Sequence, residues 1–135
     1  MTSDHSWQTH NGLVLAYIGD GVYELFVRMY VLNKGMTQPK KLHKASTSYV
    51  SAKAQCFAMQ TMLEQEGFLT PEEDLYYKRG RNSKSHTSAK NADILTYRIA
   101  TGFEALIGYL YLSKQEERLE EIMTWSIKHI EGSLA

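Results

Sequence analysis

Apolar residues recur three and four positions apart along almost the whole chain, and the gaps between the runs carry residues that start and stop helices. That spacing gives each segment one apolar stripe, whereas a half-buried strand needs strict alternation, which no segment shows. Leu15, Ile18, Val22, Leu25, Phe26, Met29 and Leu32 predict a long first helix that stops at Gly35. Pro39 opens a second, and Leu42, Ala45, Tyr49, Ala52, Cys56, Met59 and Leu63 predict that it continues unbroken to Gly67. Thr70-Pro71-Glu72-Glu73 joins an N-cap hydroxyl, a proline at the first helical position and a glutamate three residues after the cap, starting a short helix that ends near Gly80. Residues 81–90 hold turn-forming and solvent-seeking groups and read as a polar loop. Asn91 is the expected cap of a long helix through Ile94, Leu95, Ile99, Phe103, Leu106, Ile107 and Leu110. Ser113-Lys114-Gln115-Glu116 then predicts a capping box opening a last helix with Leu119, Ile122, Met123, Ile127 and Ile130. The expected fold class is all-α, a helical bundle.

With 135 residues and 43% hydrophobic content, the chain suits one compact domain over residues 1–135. No apolar run approaches the roughly 20 residues that span a bilayer, so no membrane association is expected. The N-terminus lacks the basic, apolar and small-residue succession of a secretory signal, which points to the cytoplasm. Cys56 is the only cysteine, excluding an internal disulfide or a multi-cysteine zinc site, and Ala54, Phe57 and Ala58 around it suggest core.

Formal net charge is zero but segregated. Between Glu24 and Glu64 there is no acid, while Arg28, Lys34, Lys40, Lys41, Lys44 and Lys53 are all basic. A second basic stretch holds Lys78, Arg79, Arg81, Lys84, Lys90 and Arg98, and glutamates of the C-terminal part balance the total. A polyanion-binding face fits this pattern, as do ordinary solvated helix surfaces.

Two acidic segments sit inside apolar helical patterns: Tyr17-Ile18-Gly19-Asp20-Gly21-Val22-Tyr23 and Phe103-Glu104-Ala105-Leu106-Ile107-Gly108. A carboxylate among apolar residues is costly unless neutralised, and each glycine inside a helix costs roughly 1 kcal/mol against alanine. Structural alternatives are a helix cap or turn at Asp20, and for Glu104 a buried ion pair with Arg28 or Arg98. Glu24, one helical turn from Asp20, reads chiefly as solvated or ion-paired. Other catalytic patterns are missing: the five histidines are scattered singly, no phosphate-binding glycine loop is present, and no serine or cysteine carries a nucleophile signature. What is left is carboxylate chemistry beside a basic surface, as needed when a divalent cation activates water against a phosphodiester.

The first acidic segment resembles the signature helix of the ribonuclease III family, and the second resembles that family's other acidic motif, in matching order and spacing. Val14-Leu15-Ala16, Tyr23-Glu24-Leu25 with Val27-Arg28, and Arg79-Gly80-Arg81-Asn82 are similar to its reduced bacterial Mini branch, over nearly the entire chain. The resemblance implies a ribonuclease III endonuclease-domain-like bundle, without the separate double-stranded-RNA-binding domain of larger members. It implies a homodimer that cuts double-stranded RNA with Mg²⁺, leaving 5′-phosphate and 3′-hydroxyl ends. Maturation of the large-subunit (23S) ribosomal RNA precursor is the implied role, in a pre-ribosome or ribosomal-protein setting. Asp20 and Glu104 are the implied catalytic and metal-holding pair.

Larger members also carry a glutamate four residues before the signature aspartate and an aspartate three residues before the second glutamate, where this chain has Ala16 and Thr101. With fewer anionic ligands the expected Mg²⁺ requirement is higher. Duplex RNA offers phosphates and 2′-hydroxyls across a shallow minor groove, so recognition should rest on shape and charge. Lys40, Lys41 and Lys44 are candidates for one contact surface, and Arg79, Arg81, Lys84 and Lys90 for another. The rival reading is a catalytically silent RNA-binding or ribosome-assembly module of the same fold, encouraged by Ala16 and Thr101.

Overall fold

A computed structural model describes residues 6–83 and 93–134. Among these residues a 3₁₀ turn at Ser6–Thr9 is followed by six helices: α1 (Gly12–Asn33), α2 (Pro39–Val50), α3 (Ala52–Leu63), α4 (Pro71–Arg81), α5 (Asp93–Leu112) and α6 (Glu116–Leu134). No strand occurs among the described residues, so the fold is the expected all-α bundle. The expected cap Asn91 lies outside the described residues, as do Lys84 and Lys90.

Local chemistry explains most boundaries. The Asn11 side chain accepts a hydrogen bond from the Val14 N–H at 3.0 Å and starts α1, which Lys34 caps at its C-terminal end before Gly35 turns the chain at φ +95°. Both halves of the capping box at Thr70 and Glu73 are made, each at 3.0 Å. The buried Glu73 carboxylate also receives the Arg118 guanidinium at 2.7 and 2.8 Å, tying the start of α4 to α6. Removing either partner would leave a poorly compensated charge in the interior.

Two expectations fail at helix ends. The segment from Pro39 is not one helix, because Ser51 leaves the helical region at ψ 156° and its hydroxyl accepts from the Ala54 N–H at 3.2 Å, starting α3 afresh. Serine competes for backbone groups in this way, a local effect that the apolar stripe on either side conceals. Nor does Ser113 cap α6: its hydroxyl donates back to the Tyr109 carbonyl at 2.7 Å, Lys114 takes a φ of 63°, and the carbonyl of Gln115 accepts the first bond of α6. The unpaired carbonyls ending α5 claim that hydroxyl first.

Helix α5 is the hub, packed by α1, α3, α4 and α6, with Phe103, Leu106, Ile107 and Leu110 fully buried. Against it α1 buries Leu15, Tyr23, Val27 and Val31. The apolar list read from the sequence mixes this face with another, because Leu25, Met29 and Leu32 are exposed. Helix α1 is thus apolar on a core face and on an outward face as well. A helix of that kind usually has neighbours on both sides.

Candidate active site

The site is built where α1 crosses α5. A β-carbon placed on Gly19 would stand 1.8 Å from the Glu104 carbonyl oxygen, and one on Gly108 would stand 2.0 Å from that of Leu15. Only glycine permits backbones to approach so closely. The conformational cost of Gly19 therefore supports helix contact, and the contact sets Asp20, its neighbour, against Glu104. Gly21 differs, since a β-carbon there meets nothing within 4 Å.

Asp20 lies in the body of α1, away from either cap, so the cap reading of this residue does not hold. Its carboxyl neighbours that of Glu104 closely enough for the two to act on each other. Glu104 is half-buried, and its carboxyl is pushed up to about 8, first by loss of solvent and then by the neighbouring Asp20 carboxylate. The Gln55 amide pulls in the opposite direction.

No lysine or arginine ion-pairs with either acid among the described residues. Arg28 is engaged instead with Glu24, at 2.6 Å, so it does not serve as the partner considered for Glu104, and Glu24 takes its ion-paired role. Two adjoining carboxylates with no cationic side chain fit a small hard cation that keeps several waters. The set is small: no group of three or more histidine, cysteine or acidic residues is found among the described residues. Ala16 is buried and has no side-chain oxygen, and the Thr101 hydroxyl donates to the Tyr97 carbonyl at 2.8 Å.

Lys40, Lys41 and Lys44 are exposed on α2. Arg79 is spent largely within the chain, donating to the carbonyls of Gln8 at 2.9 Å and His10 at 3.1 Å and lying over the Tyr76 ring. Arg81 donates to the Asn82 side chain at 3.2 Å and faces the Tyr77 ring. Cys56 is buried, as expected. The residue that the sequence reading passed over is Gln55. A polar side chain between Ala52 and Met59 on an apolar stripe was the available signal, but a neutral amide does not stand out in a search for acids and bases.

An all-α domain whose crossing helices bring two acids together at one point defines the class: a helical nuclease of the ribonuclease III kind. The ribonuclease III domain family matches residues 13–115. The chain is 59% identical over 120 residues to the Mini-ribonuclease 3 of Enterococcus faecalis, covering 89% of this chain and 90% of that one. Over 122 residues it is 52% identical to the Mini-ribonuclease 3 of Streptococcus pneumoniae, covering 90% and 94%. A crystal structure of a Fusobacterium nucleatum protein superimposes with a TM-score of 0.79 at 32% identity, covering 93% of this chain and 98% of that one. The chain belongs to the ribonuclease III family, within its Mini-ribonuclease 3 branch, and is an endoribonuclease.

Proposed function

We propose that this chain is an Mg²⁺-dependent homodimeric endonuclease for double-stranded RNA, acting in the cytoplasm on the 23S ribosomal RNA precursor and leaving 5′-phosphate and 3′-hydroxyl ends. The observation that carries the proposal is the proximity of Asp20 and Glu104, with no lysine or arginine ion-paired to either among the described residues. Membership of the Mini branch supports the choice of substrate.

Asp20 and Glu104 would hold the cation. A divalent ion bound there supplies charge that polarises the phosphate and makes water more acidic. The chain's own groups do the rest. The backbone contact at Gly19 fixes the distance between the two acids, and half-burial of Glu104 limits competing water. Lys40, Lys41 and Lys44 place positive charge for the RNA backbone, with Arg81, Lys84, Lys90 and the exposed remainder of Arg79 as the second contact region.

A second copy has a surface to meet. Tyr17, Leu25 and Met29, at 79%, 63% and 47% exposure, border a groove of about 800 Å³ that runs past Asp20 and Gly21 to Tyr111. An apolar face continuous with the site, on a helix whose Gly21 has no role in the chain's own packing, fits self-association better than solvent. Duplex RNA has two strands to cut, and a twofold pair of sites matches that geometry.

The test is incubation of purified protein with long duplex RNA, with Mg²⁺ and with chelator, followed by mapping of the ends. Mg²⁺-dependent double-strand cuts with 5′-phosphates are expected. Binding without cuts would replace the enzyme reading by the silent module.

A further inference from the structure

Gln55 is 1% exposed, buried more deeply than either acid, and its amide is only partly satisfied. One Nε2 hydrogen goes to the Val50 carbonyl at 3.1 Å, the end of α2 opened by the break at Ser51. The Oε1 atom is buried with no partner among the described residues. From α3, which packs on α5, the same amide lies close enough to the Glu104 carboxyl to favour its ionised form. Neutral residues of similar volume would fill this place without leaving an unpaired oxygen, so simple packing does not explain a glutamine.

We propose that Gln55 is a positioning residue of the acidic site: its amide, anchored on the Val50 carbonyl, holds the Glu104 carboxyl in the orientation that faces Asp20. The inference rests on the reading of Asp20 and Glu104 as the cation-holding pair. Both hydrogens of Nε2 are then used, one on the anchor and one on the carboxylate, which fixes the amide plane and turns Oε1 away from any donor. This chain has Ala16 and Thr101 where additional carboxylates would brace a larger site, so a neutral donor behind Glu104 restrains the side chain without adding repulsion. Groups that orient a metal-holding side chain change affinity by about 10- to 100-fold when removed.

The test measures Mn²⁺ binding to RNA-free protein by the electron paramagnetic resonance of the free ion, with Gln55→Met and Gln55→Leu beside Asp20→Asn. Both Gln55 variants lose the donor while keeping bulk, so they should retain the helical circular dichroism and bind Mn²⁺ about tenfold more weakly. Folded Gln55 variants with wild-type Mn²⁺ affinity would overturn the positioning role. An Asp20→Asn protein that binds like wild type would instead overturn the site reading beneath it. A measurement on the unaltered protein guards against variants that fail to fold: the Gln55 side-chain amide resonance should shift in step with Mg²⁺ saturation, and a resonance that ignores Mg²⁺ would refute the proposal.

Discussion

Gly19 and Glu104 touch backbone to backbone: the glycine sits where any β-carbon would stand 1.8 Å from the glutamate's carbonyl oxygen. Packing and chemistry share this point. Gly19→Ala should push α1 off α5, costing roughly 3 kcal/mol, the upper end of ordinary overpacking. It should also separate the acids and abolish cleavage in whatever fraction stays folded. Gly21→Ala, with open space around its β-carbon, should leave the chain's own packing intact. Urea unfolding of both variants checks the contrast, and equal midpoints would contradict it.

The raised Glu104 carboxyl makes stability depend on pH in an unusual direction. Its value rises from 4.5 to about 8 on folding, so between those limits the folded chain holds a proton that the unfolded chain has lost. Stability from this group therefore falls as pH climbs from about 4.5 to 8. Asp20→Asn removes a charge that contributes to the rise. In chelator at pH 8 the variant should melt above wild type, with the gap closing below pH 4.5, and added Mg²⁺ should stabilise wild type more. Melting curves across this range test the order, and a variant that melts lower at pH 8 would contradict it.

The fold was largely legible because helical periodicity, Pro39, Gly35 and the Thr70 capping box are local signals, and each proved to mark a real boundary or turn. Ser51 and Ser113 were less legible. Each hydroxyl chooses among nearby backbone groups, a choice fixed by three-dimensional competition rather than by spacing. The two acids could be picked out from the sequence, while the reason for Gly19, the outward apolar face of α1 and the placement of Gln55 depend on which helices cross.

The outward face of α1 predicts the oligomeric state. Leu25→Glu with Met29→Glu places two charges in the proposed interface while leaving the core face alone. Sedimentation should give wild type near twice the chain mass of 15.5 kDa and the double variant near that mass itself. A wild-type monomer would contradict the dimer.

Charge on α2 predicts the salt response. Replacing Lys40, Lys41 and Lys44 by alanine should lower the slope of log affinity against log salt by up to about 0.9 for each lysine that neutralises a phosphate. Binding of duplex RNA by the Asp20→Asn background, in which cleavage is silenced, gives the slope directly. An unchanged slope would move the contact surface away from α2.

The central claim is that Asp20 and Glu104 act as one unit. Cleavage rates of duplex RNA at saturating Mg²⁺ for Asp20→Asn, Glu104→Gln and the double variant test it most directly, because groups that serve a single function do not lose activity additively. Either substitution should remove nearly all cleavage, and the double variant should be hardly slower than the singles. Substantial cleavage by either single variant, or losses that multiply in the double, would contradict it.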